Sequence, residues 1–172
     1  MKIKKTKKYK GKNIDIALYE TKLNGTKISQ EIIEQGNAVA VLAIDDEYVI
    51  LVREFRYPVG HVLEIPAGNV DKGETSLKCA QRELLEETGY KAKKFEHLIK
   101  FFPKLGYNTQ IIDCYVATEL EKTSEPNLDE DELITVKKIK FRKLLNMINN
   151  GKIYGSYTIC AVMIYAARKK LI

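Results

Sequence analysis

Two apolar runs separated by a short acidic turn restrict the fold of this chain more than any other feature. Ala38 to Ile44 (AVAVLAI) and Tyr48 to Val52 (YVILV) flank Asp45-Asp46-Glu47. Both runs have strand length and no polar alternation, so together they read as a buried hairpin that other elements must cover. Leu98 to Phe102, Ile111 to Ala117 and Leu133 to Ile139 are further strand candidates. Asn13 to Ile33 is strand-like but broken by Asn24-Gly25, a hairpin turn signal. Helical periodicity appears over Thr75 to Thr88, Phe141 to Ile148 and Ser156 to Lys170. Strands and helices interleave without regular βαβ repetition, which predicts an α/β fold with a mixed sheet and helices packed on its faces.

With 172 residues, 45% hydrophobic and 30% charged, the chain suits one soluble domain able to bury a core without metal or disulfide staples. No apolar run reaches the ~18 to 20 residues that span a bilayer, and the lysine-rich start lacks the apolar stretch of a secretory signal. A cytoplasmic location is the expectation. The net charge of +6 is local: residues 1 to 12 hold seven lysines and no acid, and the remainder carries 22 basic against 23 acidic side chains. The lysine-rich start is read as a solvated arm, and nucleic acid is not the expected partner. Cys79, Cys114 and Cys160 stand far apart beside only two histidines, His61 and His97. That pattern excludes a zinc finger, argues against a disulfide framework, and gives little from which to build Ser/His/Asp hydrolysis.

The chemistry is concentrated between Gly68 and Tyr90, GNVDKGETSLKCAQRELLEETGY. At ~100° per residue, Arg82, Glu83, Glu86 and Glu87 share an arc of ~140°, beside an arc holding Leu77, Ala80, Leu84 and Thr88. Three glutamates on one face repel one another in a plain helix. A divalent cation reverses that sign, and hard oxygen ligands suit Mg²⁺ or Mn²⁺, either of which can hold a diphosphate and activate water.

The same stretch resembles the Nudix box, G-x5-E-x7-R-E-U-x-E-E-x-G-U with U apolar, through Gly68, Glu74, Arg82, Glu83, Leu84, Glu86, Glu87, Gly89 and Tyr90. Seven fixed residues recur by chance with a probability on the order of 10⁻⁹ per start position. Ala38 to Pro58, Leu63 to Gly68 and Gly151 to Cys160 are similar to the ADP-ribose pyrophosphatase branch of that family. The resemblance implies an α/β/α sandwich with an N-terminal β extension, and hydrolysis of nucleoside diphosphate sugars, chiefly ADP-ribose, with Mg²⁺ or Mn²⁺. It also implies a homodimer in which residues about 8 to 33 help form the neighbour's site. The domain division that follows is a lysine-rich arm at 1–12, a β segment for dimerisation at 13–35 and a hydrolase domain at 36–172.

Roles carried over by that resemblance are these. Glu83, Glu86 and Glu87 hold or orient metal, with the Ala67 carbonyl as a further ligand, and Glu86 also counts among the catalytic residues. Arg82 braces the helix through Glu74. Gly68 lets backbone approach the metal, and Gly89 caps the helix. The acidic loop Asp129 to Glu132 supplies a base and a ligand, with register pointing to Glu130 and Glu132 respectively. Arg56 is the expected diphosphate clamp, with Arg53 its competitor.

Several positions depart from the branch. Lys104-Leu105-Gly106 stands where a Ser-Pro-Gly turn is usual, Gln30 where an arginine is common, and Gln110 where a glutamate is common. Gly106 and Tyr107 are nonetheless the substrate-contact candidates of that loop, Tyr107 lying near a tyrosine position of dinucleoside polyphosphate hydrolases. GDP-sugars and dinucleoside polyphosphates therefore stand as alternative substrates, and a non-catalytic ligand sensor as an alternative function.

Overall fold

The computed structural model describes residues 2–12, 14–128 and 133–172. Its first three strands, β1 (Lys4–Lys10), β2 (Asp15–Leu23) and β3 (Thr26–Glu34), form a separate antiparallel sheet in the order β1-β2-β3. Asn24 and Gly25 both have positive φ, 50° and 82°, as a tight turn between right-twisted strands requires. The lysine-rich start is thus exposed throughout but paired into a sheet. Six registered residues pair with β2, and ion pairs Lys5–Glu34 (2.6 Å) and Lys7–Asp15 (2.5 Å) neutralise part of its charge. Closely spaced lysines do not prevent a strand when its backbone groups are paired and its side chains reach water.

The main sheet contains β4 (Ala38–Asp45), β5 (Tyr48–Arg56), β6 (Gly60–Glu64), β7 (Ala67–Asn69), β8 (Tyr90–Phe101), β9 (Ile112–Lys122) and β10 (Thr135–Lys140). Its order is β10-β5-β4-β9-β8, with β6 on β5 and β7 on β4. β4 runs parallel to β9 and antiparallel to β5 and β7, so the sheet is mixed. Helices α1 (Ser76–Thr88), α2 (Phe141–Asn149) and α3 (Ser156–Arg168) cover it.

The apolar run of β4 follows from cover on both faces. Val39, Val41 and Ala43 pack with Cys79, Ala80 and Leu84 of α1. Ala40 and Leu42 pack with Leu144 of α2 and with Ala161 and Val162 of α3. Alternation still operates, but each face meets apolar partners. β8 is longer than the expected strand at Leu98 to Phe102 because it is an edge strand, and its first eight residues, Tyr90 to His97, turn polar side chains to solvent. Among the described residues no helix is long and apolar enough to cross a membrane.

Candidate active site

The acidic helix is fixed at both ends. Thr75 Oγ1 accepts the Lys78 N–H at 3.3 Å, satisfying one of the free donors at the start of α1. Gly89 ends it in the left-handed region at φ 70°, donating its N–H to the Leu85 carbonyl at 2.7 Å. A Cβ at Gly89 would overlap the Ser124 carbonyl oxygen, so side-chain volume is excluded there as well as disfavoured by φ. Cys79, Ala80 and Leu84 are buried against the sheet, which turns Glu83, Glu86 and Glu87 towards a cleft bounded by β5 and β7.

Arg82 organises the carboxylates around it. Its Nε and Nη2 donate to the two oxygens of Glu74 at 3.1 and 3.0 Å, a bidentate pair that joins α1 to the loop before it. Nη1 donates to Glu83 at 2.7 Å and to Glu86 at 3.0 Å, and Nη2 also meets the Asn69 carbonyl at 3.2 Å. The Arg82 hydrogen bonds hold the Glu74 carboxyl down at about 2, assisted by the Asp71 N–H.

Glu83 and Glu87 are only 8% and 3% exposed, and buried carboxylates require partners. Glu87 Oε2 accepts the Ala67 N–H at 3.1 Å. Glu83 lies against Gly68 so closely that a Cβ there would overlap its carboxylate. The structural need for glycine at 68 is therefore space for Glu83. Cys79 in the same layer has its thiol pushed up to about 12 by burial and by Glu83, which keeps it an inert core group.

One cavity of about 470 Å³ brings these groups together with Glu54 and Arg56 from β5, Ala67 and Gly68 from β7, and Asn127. Five carboxylates (Glu54, Asp71, Glu83, Glu86, Glu87) face two guanidinium groups (Arg56, Arg82) in its lining. That excess of hard, negatively charged oxygen fits a divalent cation of the Mg²⁺ type. Among the described residues, no three His, Cys, Asp or Glu side chains converge tightly enough to grip an ion as they stand. Arg82 Nη1 lies between Glu83 and Glu86, so a cation there would share or displace that contact. A second cavity of about 280 Å³ adjoins the first, sharing Arg56, Ala67, Gly68 and Asn69 and adding Gln35, Glu64, Gln110 and Tyr157.

The other sequence candidates fall differently. Arg53 lines neither cavity, since alternation along β5 puts Glu54 and Arg56 on one face and Arg53 with Phe55 on the other. Gly106 and Tyr107 also lie outside both linings. Their carbonyls accept from Gln30 Nε2 at 2.6 Å and from the Ile33 N–H at 2.8 Å, which fastens their loop to β3. Glu130 and Glu132 lie outside the described residues. The chain before them enters the site, where Asn127 donates its N–H to the Glu86 carbonyl at 2.8 Å. Glu54, Glu64, Asn127 and Tyr157 were missed from sequence. For Glu54 a signal existed, because it sits two residues before Arg56 in a strand.

Comparisons with known proteins agree with this geometry. A family model described as the NUDIX domain matches residues 34–155. The chain is 36% identical to an ADP-ribose pyrophosphatase of Bacillus subtilis (strain 168), covering 98% of this chain and 94% of that protein. It is 37% identical to a methanol dehydrogenase activator of Bacillus methanolicus, covering 93% and 89%. A GDP-mannose pyrophosphatase of Yersinia enterocolitica is 31% identical over 79% of this chain and 78% of its own length. The solved structure of an ADP compounds hydrolase superposes with a TM-score of 0.85 at 21% identity, covering 99% of this chain and 95% of that one, a likeness of fold.

Proposed function

The chain belongs to the Nudix family of pyrophosphohydrolases, and on that premise we propose that it hydrolyses the diphosphate bond of nucleoside diphosphate sugars with Mg²⁺, or Mn²⁺, as cofactor. ADP-ribose, cleaved to AMP and ribose 5-phosphate, is the first substrate. The observation that carries this reading is one cavity holding Glu83, Glu86 and Glu87 beside the Ala67 backbone, with Arg56 on the facing strand. The similarity to an ADP-ribose pyrophosphatase along nearly the whole chain favours ADP-ribose. The GDP-mannose pyrophosphatase relative keeps GDP-sugars as the second reading.

In the reaction, a water oxygen bonds to one phosphorus while the bond from that phosphorus to the bridging oxygen breaks, and the bridging oxygen leaves with the other phosphate. A bound divalent cation would neutralise phosphate oxygens and lower the pKa of the attacking water. Glu83, Glu86, Glu87 and the Ala67 carbonyl would hold it. Arg56 offers N–H groups to the diphosphate, and burial, which opposes its charge, is outweighed by Tyr157, Glu54 and Glu64, so it stays protonated. Glu130 takes the proton from water, with Glu132 as a ligand and the fallback base. In support, Asn127, just before that segment, is tied to α1 and lines the cavity.

The active form is proposed to be a homodimer in which residues about 8 to 33 complete the neighbour's site, working in the cytoplasm. The three thiols are free, as a reducing compartment allows. The test is incubation with ADP-ribose, GDP-mannose or a dinucleoside polyphosphate, with and without Mg²⁺, and identification of products by mass. AMP and ribose 5-phosphate in the Mg²⁺ arm alone is the expected result. Binding of all three without turnover would replace the enzyme by a sensor, and preferential release of GMP would move the substrate to the GDP-sugars.

A further inference from the structure

The first turn of α3 is built around an acidic side chain that belongs to another element. Glu64, the last residue of β6, is 6% exposed. Its carboxylate rests against Gly155, where a Cβ would stand 2.6 Å from Oε1. Glu64 Oε2 accepts the Nε–H of Arg56 at 3.0 Å. Tyr157, the second residue of α3, lines the second cavity together with Glu64 and Arg56, and both act on its hydroxyl. Next to it, Thr158 Oγ1 accepts the Ile65 N–H at 3.1 Å and ties the helix to the residue after Glu64.

On its other side Arg56 meets Glu54 through Nη1 at 2.7 Å. A flexible arginine is thus held at Nε and Nη1 and still lines both cavities. Two carboxylates outweigh its single positive charge, so its contribution to anion binding lies in directed N–H groups whose positions are set in advance. Holding a long side chain in its binding rotamer removes an ordering cost that a free arginine meets on gripping an anion. Burial and Glu64 keep the Tyr157 hydroxyl well above the usual phenol range, so it stays protonated beside that carboxylate.

We propose that Tyr157 and Glu64 are positioning residues that hold Arg56 as a preformed diphosphate clamp at the junction of the two cavities, with the start of α3 as its backstop. This rests on the reading of Arg56 as the diphosphate-binding residue and assigns that binding a dependence on α3, an element remote from the acidic helix.

The experiment measures ADP binding by calorimetry in saturating Mg²⁺, so that it does not depend on which sugar is hydrolysed. Loss of the one hydroxyl in Tyr157→Phe should weaken ADP by roughly three- to tenfold. Arg56→Ala should weaken it further, and the double variant should bind no more weakly than Arg56→Ala alone, because Tyr157 acts through Arg56. The Mg²⁺ concentration needed for half-maximal ADP binding should stay at the wild-type value in Tyr157→Phe. Gly155→Ala, which displaces Glu64 while removing no polar group, should reproduce the Tyr157→Phe loss if that variant folds poorly. Equal ADP binding by wild type and Arg56→Ala would overturn the diphosphate reading of Arg56, and the clamp with it. A normal loss in Arg56→Ala with unchanged binding in Tyr157→Phe and Gly155→Ala, or additive losses in the double variant, would overturn the clamp alone.

Discussion

Glu87 Oε2 accepts the backbone N–H of Ala67 at 3.1 Å, so a carboxylate of the acidic helix is seated on the same residue whose carbonyl is the proposed further metal ligand. Two functions of Glu87 can be separated through that contact. In Glu87→Gln the amide oxygen can still accept the N–H, so stability should stay near wild type while the lost charge raises the half-saturating Mg²⁺ concentration roughly tenfold or more. Glu87→Ala should do the same to Mg²⁺ and also leave a part-buried donor without its acceptor, at a cost of about 1 kcal/mol. Mg²⁺ titrations of activity and denaturant melts check the pair. An unchanged Mg²⁺ dependence in both variants would remove Glu87 from the metal site.

The Arg82–Glu74 pair gives a pH dependence with a definite sign. Glu74 is held down at about 2 against an ordinary 4.5, first by its Arg82 hydrogen bonds. A depressed carboxyl adds stability that is complete above the unfolded value of 4.5 and is lost as pH falls through about 2. Glu74→Gln should therefore be less stable than wild type at pH 6, with the gap closing between pH 4.5 and 2. Thermal melts across that range decide it, and a gap that stays constant would mean that the pair contributes no net stability.

Gly68 tests the packing of Glu83. A Cβ at position 68 would overlap the Glu83 carboxylate, and over-packing of this kind typically costs ~1 to 3 kcal/mol. Gly68→Ala should lower the melting temperature and displace Glu83, raising the Mg²⁺ requirement as well. Wild-type values for both would mean that Glu83 has room to move aside freely.

What could be read from the sequence and what could not divide along a physical line. Contacts within one element carry spacing, so the face formed by Arg82, Glu83, Glu86 and Glu87 was legible, whereas the link from Glu74 to Arg82 followed only from the resemblance to the Nudix box. The hairpin at Ala38 to Val52 was legible because two strand-length apolar runs joined by an acidic turn can hide from water only by pairing inside a layered core. Glu64 and Tyr157, by contrast, meet across more than half the chain where the start of α3 is tied to the end of β6, and no local pattern announces them. Arg53 and Arg56 look equivalent in a motif, yet strand alternation places them on opposite faces. The stretch of β8 from Tyr90 to His97 was hidden by its lysines, which an edge strand accommodates where a central strand cannot.

The last expectation concerns the base. A diphosphate repels an attacking water, and water at neutral pH is a poor nucleophile, so a proton acceptor is needed near the cation but outside the crowded helix. Glu83 and Glu86 are already engaged by Arg82 and Glu87 by the Ala67 N–H, which favours a carboxylate from the segment that follows Asn127. A general base is typically worth ~10² to 10⁴ in rate, whereas a metal ligand changes metal affinity as well. Glu130→Gln should lower kcat on that scale with little change in the Mg²⁺ dependence, and Glu132→Gln should shift the Mg²⁺ dependence to higher concentration. If Glu132→Gln carries the kcat loss and Glu130→Gln does not, the register of the loop is two residues from the one inferred. If both keep near wild-type turnover, the base lies within the described cavity. Glu54, which faces the acidic helix from β5, is then the residue to replace next, ahead of the glutamates that hold the helix in place.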